Sequence, residues 1–124
     1  MPGNRVVLAI LRSRAHRVLS GVAVELRYQG RKSGREYALP VQFAQLDNRL
    51  VVRPQHPHQS TWWRNFHDPR PVTVRLAGRP RRGTATLVEP GSPEWETAHR
   101  VYTARWHARA AAAQGPLVVI TLDN

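Results

Sequence analysis

No cysteine occurs in the 124 residues, so the chain forms no disulfide, carries no thiolate nucleophile and offers no Cys-ligated metal site. Acidic side chains are scarce as well. Eight Asp and Glu stand against nineteen Lys and Arg, leaving a net charge of +11. Such an excess points to a polyanionic partner: nucleic acid, a membrane surface, or a small ligand rich in phosphate and carboxylate. Lysine is rarer still. All the basic residues but one are Arg, and the exception, Lys32, stands in GRKSGR (30–35) between two arginines and two glycines.

Long apolar runs are also missing. The longest early one, Val6–Leu11, is cut by Arg12 and Arg14, too soon for the core of an export signal, and a cytoplasmic location is expected. No repeat, low-complexity tract or linker divides the chain. Its length suits one domain, 1–124, around one core. Ten prolines and eight glycines scattered between apolar runs indicate frequent turns and short strands.

What is present reads as a helix, six strands and a second helix before the last strand. Val7, Leu11, Ala15 and Val18 recur at helical spacing, which predicts an amphipathic helix over about 5–20, with Gly21 as its stop. Val22–Tyr28 reads as a strand. Tyr37, Leu39, Val41 and Phe43 alternate with smaller or polar residues, the pattern of a half-buried strand. Asp47-Asn48 turns the chain into a short strand, Leu50–Arg53. Val72, Val74 and Leu76 alternate again, and Gly78 turns them into a partner strand over Gly83–Val88. Ser92-Pro93-Glu94 combines a capping hydroxyl, a first-turn proline and an early acid, so a helix over about 93–113 is expected, ending before Gly115-Pro116. Leu117–Leu122 is the last strand. The order implies a mainly β, α+β chain built on a small antiparallel barrel.

Four stretches could carry chemistry. GRKSGR is either a polar hairpin turn or an anion cradle, in which glycines bring backbone N–H groups near the ligand and Arg31, Lys32, Ser33 and Arg35 surround it. It is not a P-loop, because the GxxxxGK[ST] spacing is absent and a strand follows. TWWRNF (61–66) reads as one or two helical turns opened by Ser60 or Thr61. Its adjacent tryptophans point about 100° apart on a helix, so one is core and the other either a cover or a stacking wall for a planar ligand whose polar edge Arg64 or Asn65 would bond. His56 and His58 lack a nearby carboxylate before Asp68, and no metal site is expected. Trp95, His99, Tyr102 and Trp106 share one helix face, a stripe that reads as core. Tyr102 or His99 is the candidate to reach a cavity and donate a proton.

Taken in order, RVVLAILRSRAHRVLSG, GRKSGREYALPV, STWWRNF and PVTVRLAGRPRRGTATLV resemble the deazaflavin (F420)-dependent nitroreductases and quinone reductases of the flavin/deazaflavin split-barrel superfamily. The likeness covers nearly the whole chain. It implies a six-stranded split β-barrel of the FMN-binding split-barrel type that binds coenzyme F420. By this resemblance Arg31, Lys32, Ser33 and Gly34, with Arg35 alongside, hold the phosphate and acidic tail. Pro40 matches the proline of the next strand, and Arg53, Pro54, Gln55 and His56 match the loop that lines the deazaflavin. Trp62 and Asn65 match the Trp and Asn of the short helix.

The activity implied is hydride transfer from reduced coenzyme to a quinone, nitroaromatic or similar electron-poor acceptor, with Tyr102 as candidate proton donor. The chain departs from the family pattern in carrying His56 and no lysine in the ring-lining loop, and in having Tyr102 as the one tyrosine of the C-terminal helix. Three alternatives stay open: an FMN-dependent reductase, a non-catalytic binder of deazaflavin, flavin or haem, and a nucleic-acid-binding barrel. Against the last, the aromatics lie mainly in predicted helices. A homodimer and a peripheral membrane contact also stay open, although the first helix is read as a cap on the barrel.

Overall fold

Apolar residues at every second position build six strands: β1 (Ala23–Gln29), β2 (Glu36–Leu46), β3 (Arg49–Val52), β4 (Arg70–Leu76), β5 (Arg79–Val88) and β6 (Leu117–Leu122). The computed structural model describes residues 2–18, 21–55, 60–106 and 115–123. All strand pairs are antiparallel, and the order β1-β2-β3-β6-β5-β4 closes into a barrel. The inward set includes Val24, Leu26, Val41, Phe43, Leu50, Val52, Val74 and Ile120, packed on the fully buried Phe66. The register follows from this alternation, since Val24 faces Val41 and Leu26 faces Leu39 on the inside.

β2 changes partner halfway along. Glu36–Gln42 pairs with β1, whereas Phe43–Leu46 pairs with β3. The first half of β2 therefore leaves one edge without a strand. Pro40 falls in that half, where a residue lacking an N–H is tolerated.

Two helices cover the outside. α1 (Pro2–Arg12) packs on β1 and β2. α2 (Pro93–Arg105) packs on the outer faces of β2, β3 and β6, where Trp95, Ala98 and Tyr102 meet Ala44, Val51 and Leu117. Ser92 caps α2 as the sequence indicates, its hydroxyl accepting from the Trp95 N–H at 3.1 Å. The Trp95–Trp106 stripe is core: Trp95 and Tyr102 are buried, Trp95 stacks on His99, and the Trp106 indole donates to the Phe43 carbonyl at 2.9 Å.

Both helix spans differ from the sequence reading. The helix expected over 5–20 starts earlier, at Pro2, and breaks at Ser13 into a 3-10 helix, Arg14–Val18. The cause is the Ser13 side chain, which donates to the Ile10 carbonyl at 2.9 Å and accepts the Ala15 N–H at 3.1 Å, so it competes with the helical ladder. The second helix ends at Arg105, and the 107–113 part of its expected span lies outside the described residues. TWWRNF forms a 3-10 helix, Trp62–Phe66. Thr61 precedes it without a side-chain capping bond.

Glu25 is the one charged residue buried among the described residues. Its carboxylate accepts from Arg12 Nε at 3.1 and 3.0 Å and from Arg27 Nη2 at 3.1 Å, with Arg12 Nη2 also in contact and Arg75 Nε at 3.5 Å. Burial alone pushes its pKa up, but the hydrogen bonds from Arg12 and Arg27 outweigh it and hold the group below the usual carboxylate range. This cluster fastens the C-terminal end of α1 to β1.

Candidate functional site

The free edge of β2 is flanked by the GRKSGR turn, the residues after β3 and the Trp62–Phe66 helix, and two clefts open along it. The first, about 650 Å³, is lined by Arg31, Lys32 and Ser33 of the turn, by Tyr28 and Tyr37, and by Trp62, Arg64 and Asn65. The second, about 540 Å³, is lined by Leu39, Pro40 and Gln42 of β2, by Arg53 and Gln55, and by Trp62, with Asn4 at its rim. Ser60 and Trp62 belong to both. One trough therefore runs past Trp62, from a cationic end to an apolar end.

Local sequence explains the cationic end. Gly34 sits at φ +70°, a region that suits glycine, and donates to the Gly30 carbonyl at 2.9 Å to close the turn. Gly30 is required for space: a Cβ there would lie 2.9 Å from the Tyr37 ring. Gly30 N–H donates to the Arg35 carbonyl at 2.8 Å, and Arg35 N–H donates to Ser33 Oγ at 3.2 Å. Asn65 then ties the turn to the short helix. Its Oδ1 accepts the Arg31 N–H and its Nδ2 donates to the Trp62 carbonyl, both at 2.8 Å. Four of the six N–H groups of GRKSGR are consumed in this way, and those of Lys32 and Ser33 have no protein partner among the described residues.

Arg31, Lys32 and Arg64 line this end, and no carboxylate does. The nearest acid in sequence, Glu36, is already engaged by Arg27 at 2.8 Å. Among the described residues these three cations have no acidic partner, so this end carries a concentrated positive charge.

The apolar end is walled mainly by carbon. Leu39, Pro40 and Val52 supply greasy walls, Trp62 an aromatic one, and Gln42, Gln55 and Arg53 the polar rim. Trp62 is held in place by an edge-to-face contact with Phe66, ring centroids 6.2 Å apart. Trp63 serves otherwise: its indole N–H donates to the Ser60 carbonyl at 2.9 Å, and Arg64 lies over its ring at 5.3 Å.

Barrel and trough together invite comparison with known structures. No protein-family model matches the sequence, and no curated protein does. Solved structures do match. An F420-H2 dependent reductase, FDR-A, is 17% identical at a TM-score of 0.56, covering 79% of this chain and 92% of its own. HupZ of Group A Streptococcus is 14% identical at 0.59, over 86% and 85%. An FAD-binding protein from Mesorhizobium loti is 20% identical at 0.51, over 88% and 87%. The fold is a split β-barrel.

Within the split barrel, the residues singled out from sequence distribute as follows. Arg31, Lys32 and Ser33 line the cationic cleft, and Gly34 and Arg35 close the turn behind them. Pro40, Arg53 and Gln55 line the apolar cleft, Trp62 lines both, and Asn65 lines the cationic one and ties its turn to the short helix. Pro54 is buried beside Arg53. His56 and His58 lie outside the described residues.

Tyr102 is only 2% exposed and lines neither cleft. Its link to the trough is Arg53, whose guanidinium lies 5.9 Å from the ring centroid. Burial pushes the phenol's pKa up, and the charge and hydrogen bond of Arg53 oppose that only in part.

Sequence reading passed over Tyr37 and Asn4, whereas in TWWRNF it already paired Arg64 with Asn65 as candidates for the polar edge of a stacked ligand. Tyr37 belongs to an alternation that reads as core, yet it stands at the open end of β2 and is 43% exposed. Asn4 carried no signal, because nothing local places the first helix beside the trough.

Proposed function

We propose that this chain binds reduced coenzyme F420 along the trough and transfers its hydride to a quinone, nitroaromatic or similar electron-poor acceptor. The observation that carries the reading is the joining of a carboxylate-free cationic cleft to an apolar slot through a shared tryptophan. A ligand that is flat at one end and polyanionic at the other matches both halves. The reductase FDR-A, described as F420-H2 dependent, has the same fold.

Arg31, Lys32 and Arg64 would meet the phosphate and acidic tail, with the Lys32 and Ser33 N–H groups as added donors. Leu39, Pro40 and Trp62 would clasp the ring system, and Gln42 and Gln55 would bond its polar edge. The bound coenzyme supplies the hydride; the chain supplies orientation and keeps water from the ring. Arg53, the cation of the apolar slot, would lower the cost of negative charge growing on an acceptor oxygen bound beside it. The matching proton would come from solvent, because the Tyr102 hydroxyl is buried and lines neither cleft.

Equilibrium titration with reduced F420, a tail-less deazaflavin and FMN tests the reading, followed by turnover with a soluble quinone. Tighter binding of the full coenzyme than of either tail-less ligand is the expected result. Equal affinity for all three would remove the role of the cationic cleft and favour a flavin reader on the same barrel.

A further inference from the structure

α1 crosses the outside of β1 and β2 with its two ends at different places. At its first turn, Asn4 stands at the rim of the apolar cleft with Pro40, Arg53 and Trp62. At its last turn, Arg12 grips Glu25. Eight residues separate them, about 12 Å of helix. Glu25 lies directly opposite Pro40 in the β1–β2 ladder, so the grip sits next to the strand segment that forms the cleft wall.

The helix is fastened most firmly at its C-terminal end, with Val7, Leu8 and Ile10 half-buried along its length. Leu11 is the one α1 side chain in the core among those described, whereas Asn4, Arg5, Val6 and Ala9 are exposed, Val6 at 60%. Where the first turn stands therefore depends in good part on Leu11 and on the Arg12–Glu25 grip, which fix the far end of the helix. A carboxamide at that rim offers two N–H donors and an acceptor, the groups that recognise a carbonyl or nitro oxygen.

We infer that the first turn of α1 is a wall of the acceptor subsite, that Asn4 donates to the acceptor's oxygen, and that the Arg12–Glu25 grip sets the wall's position. This rests on the hydride-transfer reading. The coenzyme's polyanionic end is accounted for by the other cleft, and Asn4 takes no part in lining that one. Asn4 is thus a specificity-determining residue, and Arg12 and Glu25 are positioning residues that touch neither ligand.

The test uses the full chain, reduced F420 and a short-chain benzoquinone. Asn4→Ala should raise the KM for the quinone about fivefold, the scale of one lost hydrogen bond, and leave the coenzyme Kd within about twofold. Arg12→Gln should raise the same KM and also speed amide exchange in α1, an effect that Asn4→Ala should not have. A coenzyme Kd that rises with the quinone KM in Asn4→Ala would make Asn4 a coenzyme ligand and overturn the inference. An unchanged KM would overturn it too, while coenzyme binding by the parent chain leaves the broader reading standing. Unchanged exchange in Arg12→Gln, with the chain folded, overturns the role of the grip. Failure of the parent chain to bind F420 ends both.

Discussion

Replacing Lys32 by Ala is the sharpest probe of the cationic cleft. Lys32 is exposed, lines the cleft beside Arg31 and Arg64, and has no carboxylate partner among the described residues. Its removal therefore breaks no ion pair within the described residues, and folding stability should shift by no more than about 0.5 kcal/mol. Binding should respond differently. A charge-assisted hydrogen bond to phosphate or carboxylate is worth about 1–3 kcal/mol, so the Kd for F420 should rise roughly 5- to 150-fold.

Arg79→Ala is the matched control, because it removes the same charge at the far end of the barrel. Glu25 of β1 pairs with Arg75 of β4, and Arg27 with Thr73. The turn after Leu76 therefore lies beyond the start of β1, whereas GRKSGR follows its end. Isothermal titration of the parent and both variants at about 0.05 and 0.5 M salt separates local from general charge, since the screening length shrinks severalfold over that range. The Lys32→Ala loss should diminish in high salt, and Arg79→Ala should stay near the parent at both. Equal weakening by the two substitutions would refute the reasoning and reduce GRKSGR to a solvated turn.

Asn65→Ala removes both 2.8 Å bonds that join the turn to the short helix, and thermal melts should show a loss of about 1–2 kcal/mol together with weaker coenzyme binding. Restored binding in Asn65→Asp would count against this, because a carboxylate accepts from Arg31 but cannot donate to the Trp62 carbonyl. Glu25 has a lowered pKa in the fold, so its contribution is present above the unfolded carboxylate value and is lost as pH falls through the folded one. Acid titration of stability should therefore be shallower in Glu25→Gln than in the parent, and identical profiles would remove the cluster from the account. Its size is modest, since Arg12 and Arg27 are each more than 40% exposed and screened by solvent. Tyr102→Phe should change quinone turnover less than about threefold; a loss of about a hundredfold would restore Tyr102 as the proton donor.

The barrel was legible because its strands obey one period. Leu39, Val41 and Phe43 alternate along β2, and Val72, Val74 and Leu76 along β4, so inward faces could be read without any tertiary information, although the same alternation misplaces Tyr37, which is exposed. Gly78 was legible for the same local reason, its φ of +80° being the kind of backbone that glycine marks. The break at Ser13 was not, since a serine at mid-helix spacing looks like an ordinary polar position until its hydroxyl is seen bonded to the backbone on both sides. Of the trough, the sequence displayed the chemical groups in GRKSGR and TWWRNF but not their joint. That joint is the Arg31–Asn65 bond, which spans 34 residues and leaves no trace in either segment alone.

The change of partner along β2 explains why the trough lies where it does. A strand paired on both sides over its whole length would fill the space beside Leu39 and Pro40 with backbone. Because β3 is four residues long and meets β2 only at Phe43–Leu46, the earlier half of β2 is left for side chains and a short helix to flank. The same shortage acts on GRKSGR. Four of its N–H groups hold the turn and its tie to Asn65, so an anion bound there would be met mostly by Arg31, Lys32 and Arg64 on flexible stems. A rigid nest of backbone donors selects one phosphate geometry, whereas mobile cations follow several charges spread along a chain. That difference argues for a ligand with an extended acidic tail over one bearing a single phosphate.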